Sequence, residues 1–377
     1  MILDISDFVF QQIFSDQRLY LPIQWDGTDY AGTLEKLFSI YINNIDHNLI
    51  VKEYKRNNLG SSHIVKQICG FIKNSVGSYL NGFPSKAYVE LEKAMHLLVR
   101  TPLKIYQKSI FEQFDDTEDH DFNDNLALYR MVCVDDYSPY GRARVFHTPY
   151  TLRSKVSTSR YSIAGYPSLY LGTSLQLCAE EINYDSHRSF AIASRYKIER
   201  CIEYNNTEVN VIELAVKPQD FLDLERNRES NRIIRRRIQE ELLNSSSVRE
   251  AYLLWYPLIA ACSYIRTNKK DPFAAEYIVP QLLMQWVRSQ IQYSDNPDYD
   301  KLIGIRYFSC ASKRASDMGF NYVFPASGKQ HSGQYPYCPV LMNAFRLTVP
   351  KYIHESGSVE ECGNDLLWEE DFEPING

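Results

Sequence analysis

The chain has 377 residues, 44% hydrophobic and 23% charged, with a formal net charge of −6. This is the composition of a folded globular protein, which excludes a disordered chain, and the negative charge argues against a nucleic-acid partner. The sequence contains no apolar run of about 18 residues and opens with acids rather than the Lys or Arg of a signal peptide, so we expect no membrane segment and a cytoplasmic location. The eight Cys form no C-x-x-C pair, which predicts reduced thiols rather than disulfides or a zinc site.

Residues 1–111 are predicted to form an N-terminal helical bundle. Apolar residues recur three and four positions apart over 30–44, as they do on an amphipathic helix. A second helix is predicted to begin at Ser61 or Ser62, and a third opens at Pro84, since Pro suits the first turn of a helix.

One pattern in this bundle leaves an alternative function open. Arg56 followed by His63 resembles the arrangement in HEPN-type ribonucleases, where an Arg and a His position and protonate the ribose phosphate. An exposed His near a basic loop gives the same pattern without any activity. The N-terminal domain is therefore interpreted either as a HEPN-like RNase or RNA-binding sensor, or as a domain that senses, restrains or oligomerises the rest of the chain.

An acidic segment follows the predicted bundle. Residues 112–125 are rich in Asp and Glu and contain no Lys or Arg, a pattern typical of a solvated linker, so the domain boundary is predicted there. The alternative is an exposed loop inside one domain. Residues 126–350 are predicted to form the second domain, and residues 351–377 a loose, acidic C-terminal tail.

The second domain opens with a strand that carries a charge. Residues 126–135 alternate into an apolar run around Arg130, and an Arg inside a strand needs a partner. That partner is either a nearby acid or a phosphate, which a guanidinium binds bidentately. His147 precedes a Thr-Pro turn and is interpreted as structural.

The stretch from Arg160 to Glu181 is the most informative part of the sequence. A Gly-Tyr-Pro turn and a short apolar strand follow Arg160, and Thr173 or Ser174 can cap a helix that ends in two Glu. Such a strand–turn–helix can bring Arg160, Tyr170 and Glu181 together from three rigid elements. The alternative is an ordinary surface Arg, a core Tyr and a solvated Glu.

Strands and helices continue downstream, so the chain is predicted to be α+β, with a helical bundle followed by a mixed α+β domain. The predicted strands are 190–196, 208–216, 304–309, 321–326 and an edge strand within 341–350. The predicted helical or buried segments are 220–244, which is charged, 252–264, which is apolar, and 275–291, which Pro280 should kink or restart.

Four residue types in this order resemble the RES-domain family, which is named for its Arg, Glu and Ser. The matching positions are Arg160, the segment 170–174 (YLGTS), Glu181, and Ser309 at the end of a predicted strand. The resemblance covers roughly 126–350. It leaves the N-terminal bundle outside the family pattern.

The resemblance implies a fold like that of ADP-ribosyltransferases, and cleavage of NAD⁺, as substrate, at the nicotinamide–ribose bond without a cofactor. It implies that Glu181 faces the ribose and the forming cation, and that Tyr170 stacks near nicotinamide. Arg160 and Arg130 would hold pyrophosphate or ribose oxygens, and Ser309 would complete the pocket. The acceptor stays open: the chain is an NAD⁺ glycohydrolase or phosphorylase if it is water or phosphate, and a protein ADP-ribosyltransferase if it is a side chain.

Missing motifs limit the chemistry further. The sequence has no Rossmann or P-loop glycine pattern, no H-E-x-x-H and no G-x-S-x-G, so we expect a metal-independent reaction. Nicotinamide leaves as a neutral pyridine without a general acid, and a carboxylate can stabilise the oxocarbenium-like ribose.

Glu180 is the alternative to Glu181 as the residue that supplies this carboxylate. Neighbouring helix residues point about 100° apart, so only one faces the site, and the spacing from Tyr170 favours Glu181.

The resemblance also bears on partners and biological role. It implies a toxin or an antiviral defence protein that is held by an antitoxin or another regulatory protein. We expect a homo-oligomer, with no membrane partner and no nucleic-acid partner.

Overall fold

The computed structural model describes residues 7–49, 59–99, 128–187, 189–198, 210–222, 246–293, 302–326, 336–353, 359 and 371–375. The chain divides into two compact units, each built from two stretches of sequence. A helical unit combines Met1–Lys104 with Ala215–Trp286, and a sheet unit combines Ile105–Leu214 with Val287–Gly377. The predicted linker 112–125 and most of the predicted charged helix 220–244 lie outside the described residues.

The helices and strands of the described residues are numbered in chain order. The helices are α1 (Asp7–Ile13), α2 (Tyr30–Leu49), α3 (Leu59–Leu80), α4 (Pro84–Leu98), α5 (Leu175–Glu181), α6 (Pro218–Leu222), α7 (Ser246–Ala261), α8 (Ile278–Tyr293) and α9 (Pro339–Ala344). The strands are β1 (Leu128–Val134), β2 (Ser168–Gly172), β3 (Phe190–Ile198), β4 (Asn210–Leu214), β5 (Leu302–Phe308), β6 (Phe320–Pro325), β7 (Phe345–Leu347) and β8 (Lys351–Tyr352). In this described part of the chain, no helix combines the length and the apolar character needed to cross a membrane.

Helix α4 illustrates why the N-terminal segments are helical. It begins at Pro84, whose fixed φ and missing N–H suit the first turn. Its buried residues recur three and four positions apart, so that one apolar face packs inward. They are Ala87, Leu91, Ala94, Met95 and Leu98. The prediction of helices in this region is confirmed.

Buried aromatic rings attach the second stretch of the helical unit to the first. Tyr252 and Tyr256 on α7 pack against Phe14, with ring centroids 5.7 and 5.0 Å away. The Tyr41 hydroxyl on α2 donates a hydrogen bond to the Leu253 carbonyl oxygen at 2.6 Å. The Tyr252 and Tyr256 hydroxyls likewise donate to the Val216 and Leu19 carbonyl oxygens, each at 2.9 Å, so each buried hydroxyl has the acceptor that it needs.

This packing changes the predicted domain division. The sequence interpretation placed residues 215–286 inside one continuous domain, 126–350. A buried apolar segment such as α7 fits a helical core and a sheet core equally well, and its pattern alone does not distinguish the two. The structure assigns that stretch to the helical unit, so residues 126–350 are not one compact body.

The sheet unit is built on one mixed sheet. Its strand order is β4-β5-β6-β2-β1-β3-β7, and β8 pairs with β3. Strands β4 and β5 run parallel, and the other paired strands are antiparallel. Strand β2 lies in the middle of this order, so residues from β6 and β1 flank it on both sides. The predicted α+β class is confirmed.

The C-terminal region confirms one prediction and corrects another. The edge strand predicted within 341–350 is β7, which ends the strand order; it is short because Pro339 starts helix α9, which runs to Ala344. The tail, predicted to be loose, contains β8, and Glu373 exchanges two backbone hydrogen bonds with Leu347. Arg142 adds an ion pair to Glu373 at 2.7 Å. Pairing with the sheet therefore orders the described part of this acidic segment.

A buried ion pair joins β4 to β5. Glu213 and Arg306 lie opposite each other in the parallel ladder, and Arg306 Nη1 lies 2.9 Å from Glu213 Oε2. Their side chains are 1% and 2% exposed. The Arg306 guanidinium also lies 4.0 Å from the centroid of the Phe320 ring. Neither charge reaches water, so each stabilises the other in the interior of the sheet unit.

His147 is a buried, neutral histidine. Its Nδ1–H donates to the Thr148 carbonyl oxygen at 2.8 Å, and its Nε2 accepts from the Cys338 N–H at 2.9 Å. Burial lowers the pKa of His147 to about 4, and the charges of Arg130 and Arg288 lower it as well. Both ring nitrogens are engaged in structural contacts, as the sequence interpretation held.

We expect His147 to make the stability of the protein depend on pH. The folded pKa, about 4, lies below the ordinary value of 6.5, so the unfolded chain binds the proton more readily. The stabilisation is complete above pH 6.5 and is lost as the pH falls towards 4, with a limiting slope of about 1.4 kcal/mol per pH unit. Urea denaturation of the protein and of His147→Gln across this window measures the effect. The variant should show a shallower decline, and equal slopes in the two proteins would contradict the assignment.

Candidate active site

A tight turn presents the first two residues of the candidate site. The Ser159 N–H donates to the Ser162 carbonyl oxygen at 2.8 Å, and the Ser162 N–H donates back to Ser159 at 3.2 Å. Arg160 and Tyr161 therefore form the tip of a two-residue turn. They are only 9% and 1% exposed. The turn points its tip into the sheet unit, which is unusual for an Arg and places its charge among buried groups.

The side chain of Tyr170 on β2 is held by serine hydroxyls. Its hydroxyl lies 2.6 Å from Ser159 Oγ and 2.8 Å from Ser162 Oγ. Ser162 Oγ in turn donates to Ser168 Oγ at 2.9 Å. The same turn that buries Arg160 therefore fixes the orientation of the Tyr170 ring.

Helix α5 positions the predicted carboxylate. Ser174 caps the helix by accepting a hydrogen bond from the Leu177 N–H at 3.2 Å, so of the two predicted caps Ser174 is the one used. The helix ends at Glu181, whose side chain is exposed. Glu181 Oε1 accepts a hydrogen bond from Asn321 Nδ2 at 2.5 Å. Glu181, rather than Glu180, is thus the acid that is joined to the sheet.

Close packing brings α5 onto β2. A Cβ added at Gly172 would lie 2.8 Å from Cys178 Sγ and 3.4 Å from Asn321 Oδ1. Real Cβ atoms do not come as close as the first of these distances, so the sulfur would have to move. Glycine at the end of β2 therefore allows the helix carrying Glu181 to approach the strand carrying Tyr170.

Strand register adds Tyr307 to this group. Tyr307 on β5 lies opposite Asn321 on β6, and Asn321 lies opposite Gly172 on β2. Residues that oppose each other in an antiparallel pair share a face of the sheet, so Tyr307 and Asn321 share the face of Gly172 and Tyr170. The Tyr307 ring centroid is 4.7 Å from that of Tyr161.

Three of the predicted site residues influence the pKa of Tyr307. Burial raises the pKa of Tyr307 well above its ordinary value, Glu181 and Tyr170 raise it further, and the charge of Arg160 lowers it. Tyr307 is therefore a neutral phenol whose pKa depends on Glu181, Tyr170 and Arg160. We call the set of Arg160, Tyr161, Tyr170, Glu181, Tyr307 and Asn321 the Glu181 cluster.

Arg130, predicted to help bind the substrate, starts from the other face of the sheet. Its neighbour Tyr129 opposes Gly172, and Arg130 itself opposes Ser194 on β3, so alternation directs its side chain away from the Tyr170 side. Its Nη1 donates to the Tyr170 carbonyl oxygen at 3.1 Å. Burial lowers the pKa of Arg130. The described contacts give Arg130 the role of linking β1 to β2.

Ser309 takes a local role in the structure. It follows β5 directly and is fully buried. Its Oγ accepts a hydrogen bond from the Ala311 N–H at 3.1 Å, which closes a short turn. This contact does not join Ser309 to the Glu181 cluster, although the strand just before it carries Tyr307.

The residues of the alternative RNase site are not brought together by any described contact. Arg56 lies outside the described residues. His63 is an exposed residue of α3. Within the described part of the chain, no group of three His, Cys, Asp or Glu side chains is arranged to hold a metal ion.

Comparison with known proteins gives one informative match. No family model matches the chain, and no solved structure does. A Bacillus subtilis (strain 168) protein named "Putative toxin YopC" is 26% identical over 344 residues, which cover 88% of this chain and 67% of that protein. This similarity supports a toxin-like role for the chain, and the name of that protein says nothing of NAD⁺.

Proposed function

We propose that this chain cleaves NAD⁺ between nicotinamide and ribose, and acts in that way as a toxin-like effector. The Glu181 cluster carries the proposal. In it, an exposed carboxylate is held by an amide through one oxygen and lies in a group with a buried Arg and three Tyr. The resemblance to RES-domain proteins supports the same chemistry on Arg160, Tyr170 and Glu181, three of the six members of the cluster.

Glu181 suits a reaction whose transition state is cationic. When the bond between C1′ and the nicotinamide nitrogen breaks, its electron pair stays with nitrogen, and nicotinamide leaves as a neutral pyridine. The ribose becomes oxocarbenium-like, which a nearby carboxylate stabilises. Asn321 holds one oxygen of Glu181 and leaves the other for C1′ or the 2′-hydroxyl. Water then adds at C1′ and loses a proton, giving ADP-ribose.

The other members of the Glu181 cluster can position the substrate and donate hydrogen bonds to it. Tyr170, held by Ser159 and Ser162, offers a fixed ring for stacking on nicotinamide. Tyr307 stays protonated, so it can donate a hydrogen bond without adding a second negative charge. The charge of Arg160 would oppose a forming cation, so we assign it to phosphate or ribose oxygens.

Nicotinamide release from NAD⁺ by the purified full chain tests the proposal directly. We expect release at full rate in EDTA, because no metal takes part in the steps above. Chromatography of the products identifies the acceptor: ADP-ribose indicates water, a phosphorylated ADP-ribose indicates phosphate, and label retained on protein indicates a side chain.

The full chain is the correct material because residues 215–286 belong to the helical unit, and the segment 126–350 would divide it. Folding is checked by a cooperative urea transition. A folded chain that releases no nicotinamide, with or without added metal, would refute the proposal. Activity that disappears in EDTA would refute the metal-independent form of it.

A further inference from the structure

A second group of side chains in the sheet unit combines cations with aromatic rings. Arg153 lies in a 3₁₀ segment, Tyr150–Lys155, with its guanidinium carbon 5.0 Å from the centroid of the Tyr150 ring. Arg288 on α8 lies with its guanidinium carbon 5.0 Å from the centroid of the Tyr166 ring. We call Tyr150, Arg153, Tyr166 and Arg288 the arginine cluster. It shares no residue with the Glu181 cluster.

The backbone holds Arg288 in place. Its Nη2 donates to the carbonyl oxygen of Ala326, just after β6, and the Ala326 N–H donates to the Pro167 carbonyl oxygen at 3.0 Å, just before β2. Tyr166 precedes Pro167 in the same turn. Arg288 is therefore fixed where β2 begins and β6 ends, and it is partly buried there.

Backbone hydrogen bonds join the two Arg–Tyr pairs. The Gly165 N–H, next to Tyr166, donates to the Val156 carbonyl oxygen at 3.0 Å, and the Val156 N–H donates to the Arg153 carbonyl oxygen at 3.0 Å. Burial lowers the pKa of Arg288. Tyr150 and Tyr166 raise this pKa, and the charge of Arg153 lowers it. The charges of Arg130 and Arg288 both lower the pKa of the buried His147. The His147 ring centroid is 5.8 Å from that of Tyr150. Like charges gathered at a partly buried place repel each other.

Carboxylates do not compensate these charges within the described part of the chain. There, Arg142 pairs with Asp371 and Glu373, and Arg306 pairs with Glu213. Neither Arg153 nor Arg288 forms such a pair among the described residues. A partly buried guanidinium without a carboxylate partner is stabilised when an anion binds to it.

We propose that the arginine cluster is a binding site for a phosphate group, whose oxygens accept hydrogen bonds from Arg153 and Arg288. A guanidinium packed on an aromatic face keeps its N–H edge available, and that edge matches two phosphate oxygens at once. The site stands whether or not the chain cleaves NAD⁺. The phosphate group belongs either to a free anion or to a nucleotide, and the two sources share this chemistry.

Calorimetric titration of the full chain with inorganic pyrophosphate, at low salt and without NAD⁺, tests the site. We expect Arg153→Gln to weaken binding at least about tenfold, since a charge-assisted hydrogen bond of about 1.5–3 kcal/mol is lost. Lys155→Gln is the matched control. It removes the same charge from the same 3₁₀ segment, from an exposed side chain, and should leave the Kd nearly unchanged.

Arg288→Lys provides a second variant, because it keeps the charge and loses the planar fork, and it should also weaken binding. Equal weakening by Arg153→Gln and Lys155→Gln would overturn the proposal, because general charge would then explain the binding. Absence of pyrophosphate binding to the unchanged chain would overturn it too. A parallel titration with ADP identifies the source: tighter, Arg153-dependent binding supports a nucleotide, and equal affinity supports a free anion.

Discussion

Glu181→Gln should lower the rate of nicotinamide release on the order of 10²–10³-fold, equivalent to about 3–4 kcal/mol of transition-state stabilisation. The substitution keeps the size of the side chain and an oxygen that can accept from Asn321, but it removes the charge that faces the forming cation. The measurement is kcat at saturating NAD⁺, with the urea transition as a check on folding.

Glu180→Gln is the control for this prediction. The two acids are neighbours on α5, so the substitutions share chemistry and helix position, and only Glu181 contacts Asn321. Glu180→Gln should keep the rate and change the free energy of unfolding by no more than about 0.5 kcal/mol. If Glu180→Gln were the inactive variant, the orientation of the helix would be wrong. If both variants were fully active, the assignment of the site would fail.

Glu213→Gln should lower the free energy of unfolding of the sheet unit by about 3–5 kcal/mol. The substitution preserves the shape of the side chain but leaves Arg306 as a buried charge without a compensating carboxylate. Urea denaturation, followed by a signal from the sheet unit, measures the change.

Removal of both charges separates this effect from simple loss of packing. The double variant Glu213→Leu/Arg306→Met replaces the pair by apolar side chains and should be more stable than Glu213→Gln, because no charge remains buried alone. A loss below about 1 kcal/mol for Glu213→Gln, or a double variant less stable than the single one, would show that the pair is not what holds β4 to β5.

Local signals in the sequence were enough to locate most elements around the site. Pro84 predicted the start of α4, and Ser174 was one of two predicted caps for α5. The short apolar run after the Gly-Tyr-Pro turn predicted β2. Each of these signals acts within one turn of helix or one strand, so a single sequence contains it completely.

The contacts between strands that are distant in the chain could not be predicted from the sequence alone. Tyr307 and Asn321 lie in predicted strands, but only the register of β5, β6 and β2 places them beside Glu181. The same register directs Arg130 to the opposite face, whereas the sequence pattern could show only that it lay in a strand. The division of residues 126–350 between two units could not be predicted for a similar reason. The apolar pattern of α7 indicates that the helix is buried, but it does not indicate which core the helix packs against.

The contact between Glu181 and Asn321 spans 140 positions of the chain. During translation, Glu181 emerges from the ribosome well before β5 and β6 have been synthesised. A nascent chain that ends before Tyr307 therefore carries the carboxylate without the amide that fixes it and without the neutral phenol beside it. For a protein with a toxin-like role, this order of synthesis means that an interrupted product lacks two of the six members of the Glu181 cluster.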